Sequence, residues 1–125
     1  MSDIIASIAT PTGEGGISII RFSGTGSLLV ALKIFYTPSG KSVEKIFPYK
    51  AHFGSIYDPT TRNCIDEVVL TWFKNPKSYT GEDVVEISAH GGTFVSSRIL
   101  GLVLDYGARL AEPGEFTRRA FMNGR

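Results

Sequence analysis

The stretch from Ser78 to Gly92, SYTGEDVVEISAHGG, constrains the fold more than any other part of the chain. A turn at Tyr79-Thr80-Gly81 leads through the acidic pair Glu82-Asp83 into alternation from Val84 to Ala89. The pattern breaks at His90-Gly91-Gly92, just ahead of an amphipathic segment. Turn, short strand, glycine break and helix start follow one another almost without spacing. Carboxylates and a histidine placed where backbone bends sharply build ligand sites more often than plain cores.

The rest of the chain supplies partners for this strand. Ile4 to Ala9 is short and continuously apolar, which predicts a strand buried on both faces. The loop Pro11-Thr12-Gly13-Glu14-Gly15-Gly16 follows, and Ile17 to Phe22 predicts a second strand paired with the first as a hairpin. Ser23 or Thr25 is placed to cap a helix from Gly26 to about Phe35, with Leu28, Leu29, Leu32 and Phe35 on one face and Pro38 as its stop. Thr37 to Lys50 reads as a polar loop.

Ala51 to Tyr57 and Ile65 to Lys74 predict a second hairpin across the turn Asp58-Pro59-Thr60-Thr61-Arg62-Asn63. After Gly92 the period changes. Val95, Ile99, Leu102, Val103 and Tyr106 mark an amphipathic helix that Gly107 ends. Gly101 inside it costs ~1 kcal/mol relative to alanine and reads as a mark of close packing on the sheet. Ala108 to Ala111 predicts an edge strand, and Pro113 opens a last helix, Gly114 to about Met122, on which Arg118 and Arg119 read as a solvated face. The expected fold class is α+β, with two to three helices on a mostly antiparallel or mixed sheet of about five strands.

A chain of 125 residues has room for one domain with a real core. At 42% hydrophobic and 20% charged it is an ordinary globular composition, and no apolar run approaches the ~18 residues of a membrane span. A net charge of +1 gives no electrostatic footprint for nucleic acid or acidic membrane, so RNA contact by this segment alone is not expected. The lone Cys64 excludes an internal disulfide, fits a reducing cytoplasmic setting and reads as a small buried hydrophobe. Because the chain stops directly after a helix-like segment, it is expected to be part of a longer protein.

Most chemical motifs fail on inspection. Ser39-Gly40-Lys41-Ser42 has the ending of a phosphate-binding P-loop, but Phe35 stands where its first glycine must be. Gly24-Thr25-Gly26 fails as a dinucleotide fingerprint because Leu29 takes the third glycine's place. His52 and His90 lack companions at metal-ligand spacing. No G-x-S-x-G elbow supports a hydrolase built on Ser88, His90 and Glu86.

Two charged residues in apolar strands survive. Arg21 either snorkels to the strand's open face or meets a carboxylate within the fold or a ligand. Glu86 shares a strand face with Val84 and Ser88, and either faces water or lines a site. In a site it suits a heterocycle with an N–H and amino edge, such as a pterin or guanine, from which a carboxylate accepts two parallel hydrogen bonds.

Four motifs occur in order: ATPTGEGGISIIRFSG from Ala9, PKSYTGEDVVEISAHGG from Pro76, GARLAEPGEFTRRAF from Gly107, and MNGR at the end. Together they resemble the N-terminal domain of the MnmE (TrmE) family of tRNA-modification GTPases, across essentially the whole chain. The resemblance implies that residues 1–125 form a tetrahydrofolate-binding and homodimerisation domain. Its fold is expected to be similar to the folate-binding part of the glycine-cleavage aminomethyltransferase.

The family's folate contacts fall on Arg21, Glu86 and Arg125, the last commonly lysine in the family. Ala89 replaces a cysteine that many relatives carry before HGG. The bound folate, 5-formyltetrahydrofolate or a related form, would supply a one-carbon unit for the C5 position of the wobble uridine of certain tRNAs. That chemistry is implied to run with an FAD- and NADH-dependent partner, MnmG (GidA). GTP, magnesium and potassium would bind segments outside this chain, so residues 1–125 are not expected to be catalytic alone. A structural dimerisation module without a folate site is the alternative. A freestanding one-carbon transferase is third, lacking an evident general base other than Glu86 or His90.

Overall fold

The computed structural model describes residues 3–9, 16–90 and 92–124. The apolar opening run forms strand β1 (Ile4–Ile8) and ISIIRFS forms β2 (Ile17–Ser23). Helix α1 (Ser27–Ile34) runs directly into a two-residue strand, β3 (Phe35–Tyr36). The second hairpin is β4 (His52–Tyr57) and β5 (Cys64–Phe73). Then come β6 (Val84–His90), α2 (Thr93–Asp105), β7 (Ala108–Leu110) and α3 (Glu115–Met122).

The strands form one seven-stranded sheet in the order β3-β4-β5-β6-β2-β1-β7. Every pairing is antiparallel except β1 with β7, which is parallel. The glycine-broken strand β6 thus lies at the centre, between β5 and β2. Period-two alternation sends Ala6, Ile20, Phe22, Val85, Ile87 and Leu70 to one face, where they are fully or almost fully buried. Val30, Ala31 and Ile34 of α1 and Ile99, Leu102 and Val103 of α2 complete that core. Helices α1 and α2 cover this face. Among the described residues, the opposite face is open except where α3 and the SYTGED loop reach it. Among the described residues, no helix is long and apolar enough to cross a membrane.

The α+β expectation holds, with seven strands where about five were expected. The extra ones are β7, foreseen as an edge strand, and β3. Phe35 fits the helical face of Leu32, but its backbone is already extended, at φ −102 and ψ 130. Pairing with Ile56 on β4, rather than Pro38, ends the helix.

Other local expectations are overturned. A Cβ built on Gly101 meets nothing within 4 Å, so this glycine does not mark close packing. Neither Ser23 nor Thr25 caps α1, whose N-cap is Gly26 in the left-handed region; the Ser23 hydroxyl is taken by Glu82 instead. Cys64 is exposed at the start of β5, where the hairpin register shifts opposite Tyr57. Arg119 is 3% exposed and belongs to the buried ionic cluster described below.

Candidate functional site

Strand register alone brings the two singled-out charges together. Ser7 on β1 is opposite Arg21 on β2, Arg21 is opposite Glu86 on β6, and Glu86 is opposite Thr71 on β5. These four residues make one row across the open face. Directly opposite residues of unlike charge are within reach, and both the Nε and Nη2 of Arg21 approach Glu86 Oε2 at 2.8 Å. Glu86 Oε1 accepts no hydrogen bond among the described residues. The pair keeps 31% and 24% side-chain exposure, so it is reachable from solvent and held in register by backbone.

A cleft of ≈490 Å³ opens beside Arg21. Ser7, Ile8 and Ala9 form one wall, and Tyr79, Gly114, Phe116 and Thr117 form the other. Beyond Glu86 on the same face, the next row is Phe53, Val69, Ser88 and Ile19. There a shallower, mainly apolar depression of ≈240 Å³ includes Ile17, Phe53, Ser88 and His90. His90 pairs with Asp66, not with Glu86 or Ser88. Its Nδ1 is 2.8 Å from Asp66 Oδ1, and its backbone N–H donates to Oδ2 at 2.7 Å.

The SYTGED turn and α3 are locked together by charges. Arg119 donates through Nη1 to both oxygens of Glu82, at 3.1 and 3.2 Å, and to the Asp3 carbonyl at 2.9 Å. Its Nη2 donates to Asp3 Oδ1 at 2.5 Å. Arg109 grips Glu115 with Nη1 and Nη2, and donates from Nε to Asp3 Oδ2 at 2.6 Å. The Ser23 hydroxyl donates to Glu82 Oε1 at 2.7 Å, which leaves Thr80 to donate to Ser23.

Tyr79 and Thr117 share a hydroxyl contact of 3.0 Å, and Asn123 Nδ2 donates to the Thr80 carbonyl at 2.9 Å. Phe121 and Met122 are exposed, while Ala120 is buried. Polar and ionic anchors therefore do much of the work of seating α3, and with it one wall of the cleft.

Glu115, 3% exposed, has its carboxyl lowered from 4.5 to about 2. The hydrogen bonds from Arg109 lower it most, against burial, which acts the other way. Asp3 is lowered chiefly by Arg109, and Arg109 is raised chiefly by Glu115. A carboxyl depressed on folding stabilises the fold above its ordinary pKa, and that contribution fades as pH falls toward the folded value. The urea midpoint is therefore expected to drop from pH 5 to pH 3, between Glu115's unfolded value of 4.5 and its folded value of about 2. Glu115→Gln should start lower and fall less steeply over the same interval; an equally steep fall would remove Glu115 as the cause.

Of the sequence-predicted site residues, Arg21 and Glu86 meet, and Arg125 lies outside the described residues. Tyr79, Phe116 and Thr117 went unassigned because their role depends on how α3 docks. No group of three metal-ligating side chains occurs among the described residues.

The architecture is that of a small α+β domain whose sheet carries a charged cross-strand pair between two depressions. Residues 4–125 match the family described as "GTP-binding protein TrmE N-terminus", and the chain belongs to that family. It is 50% identical over 125 residues to the tRNA modification GTPase MnmE of Carboxydothermus hydrogenoformans, covering 100% of this chain and 27% of that protein. The Levilactobacillus brevis protein of the same name is 53% identical over 123 residues, covering 98% of this chain and 26% of its own length. That of Thermoanaerobacter pseudethanolicus is 52% identical over 123 residues, with 98% and 27% covered. The chain thus spans about a quarter of the length of these curated relatives.

Proposed function

We propose that this chain is the tetrahydrofolate-binding and homodimerisation domain of a cytoplasmic GTPase that modifies the C5 position of the wobble uridine in certain tRNAs. The observation that carries the reading is the Arg21–Glu86 pair beside the ≈490 Å³ cleft. Arg21 engages Glu86 Oε2, which leaves Oε1 to accept from the amino edge of a pterin. Tyr79 and Phe116 supply apolar and aromatic wall. The Arg21 guanidinium suits a negatively charged part of the same ligand.

The relatives' name, tRNA modification GTPase, supports the parent activity. GTP, magnesium and potassium would be held by segments outside residues 1–125, and the redox partner MnmG would meet the whole protein. Dimerisation draws support from the open sheet face, where Ile17 and Phe53 are 66% and 60% exposed.

Titration calorimetry with 5-formyltetrahydrofolate tests the site. Removing a charged acceptor costs roughly 1.5–3 kcal/mol per hydrogen bond, so Glu86→Ala is expected to weaken binding about 10- to 100-fold. Equal affinity of wild type and Glu86→Ala would reject the assignment. Dimers by sedimentation equilibrium, with no folate-induced rise in stability, would favour a structural dimerisation module.

A further inference from the structure

The net charge of +1 conceals a polarised molecule. Residues 33–62 hold Lys33, Lys41, Lys45, Lys50 and Arg62 against Glu44 and Asp58, a local excess of three positive charges. Apart from Lys33, in the last turn of α1, this segment builds the β3–β4 edge of the sheet, at the opposite end of the strand order from β1 and β7. A second cleft of ≈490 Å³ lies at one end of that edge, lined by Tyr36, Tyr57, Asp58 and Arg62.

The two tyrosine rings meet edge to face at 5.2 Å. Arg62 is held at φ 64 by its backbone bond to the Asp58 carbonyl, and its guanidinium makes no ion pair among the described residues. Asp58 uses Oδ1 for the Thr60 N–H. Toward the start of β4, Phe47 is 59% exposed with the ammonium groups of Lys45 and Lys50 at 6.0 and 5.7 Å from its ring centre.

Lysines alone would be explained as guards that keep a sheet edge from pairing with another chain. Guards need neither exposed aromatic rings nor a cleft. Cations for phosphates interleaved with aromatic faces for bases are the elements of a single-strand-binding surface. A carboxylate among them suits a donor such as a 2′-hydroxyl or an amino group rather than a phosphate. We propose that the β3–β4 edge binds single-stranded RNA, with a nucleoside in the Tyr36–Tyr57 cleft and the backbone running along Arg62, Lys45 and Lys50. This deepens the proposed function by assigning the chain its own RNA contact, remote in strand order from the Arg21–Glu86 pair.

Fluorescence anisotropy of a fluorescein-labelled single-stranded RNA dodecamer of mixed sequence tests it, with this chain as titrant. Saturable binding is expected with a Kd of about 1–100 µM in about 50 mM KCl, the range of electrostatically driven contacts. Three phosphate contacts, at Arg62, Lys45 and Lys50, imply roughly 20-fold weakening at about 200 mM KCl, from a slope of about 0.7 per contact. The double variant Lys45→Ala/Lys50→Ala should flatten that slope. Tyr57→Ala should weaken binding about tenfold through lost stacking.

Arg98→Ala, which removes one positive charge from α2, should leave the affinity unchanged. Circular dichroism checks that each variant is folded. The proposal is overturned by no saturable signal at about 100 µM chain in low salt, by edge variants that bind like wild type, or by a DNA dodecamer bound equally well. Capture by phosphatidylserine vesicles without RNA binding also overturns it. None of these outcomes touches the folate titration, so the two readings fail separately.

Discussion

Arg119→Ala is expected to destabilise the fold by roughly 3–5 kcal/mol, the cost of leaving buried carboxylates without their cation. Arg119 and Glu115 are each 3% exposed, and the side chain of Glu82 is 13% exposed. Removing the guanidinium strands Glu82 between Ser23 and an empty volume and leaves the Asp3 carbonyl without its 2.9 Å donor. Arg109 still neutralises Glu115, which keeps the loss from being larger.

Arg119→Lys should fall between wild type and alanine, because an ammonium replaces the charge but not the fork that spans Glu82 and Asp3. Urea unfolding followed by Trp72 fluorescence gives the measurement. A loss under about 1 kcal/mol would show the cluster to be no more than a surface ion pair. Since α3 carries Phe116 and Thr117, the alanine variant should also lose affinity for 5-formyltetrahydrofolate if the cleft beside Arg21 is the site.

Gly24→Ala is the second large effect, at roughly 2–5 kcal/mol from backbone strain and overpacking together. Gly24 ends β2 at φ +140, a conformation that a side chain resists. A Cβ there would stand 2.5 Å from the Asp3 carbonyl oxygen and 3.0 Å from the Ile4 Cα, both backbone. Neither can step aside cheaply. The Asp3 carbonyl is fixed by Arg119, and Ile4 is fixed in β1 beside β7. Gly24 also donates to the Asp83 carbonyl at 2.9 Å, so a shift would reach the SYTGED turn. Differential scanning calorimetry should record a clear drop in Tm. By contrast, Gly101→Ala meets open space inside a helix and should raise stability by roughly 0.4–1 kcal/mol; a neutral Gly24→Ala would refute the close-approach account.

Strand alternation in VVEISA and ISIIRF was enough to put Glu86 and Arg21 on strands and to mark both as anomalous. Their direct opposition needed the register between β2 and β6, which is set by the buried faces of both strands together. Arg119 was illegible for a related reason. Its hydrogen-bond partners Asp3 and Glu82 lie 116 and 37 residues away. Helical spacing offers Glu115, four residues back, a pairing that reads in sequence like any exposed i,i+4 contact. β3 escaped because two residues carry no periodicity of their own. The charge asymmetry of residues 33–62 was present in the sequence but averaged away in the net charge. Cys64 misled because general cysteine burial says nothing about a residue at the start of a hairpin strand.

The row Ser7, Arg21, Glu86 and Thr71 has a consequence for the order of events during folding. Its ion pair joins residues 65 apart in sequence, and the row draws on β1, β2, β5 and β6. Neither hairpin contains the pair, because Arg21 sits in the first and Glu86 follows the second. Closing such long loops delays the contacts they reward. Helices α1 and α2 and the β4–β5 hairpin can take shape from near neighbours while the polar row is still dispersed. The charged row on this face is thus a late-maturing feature of the chain, gained only when its distant segments have come into alignment.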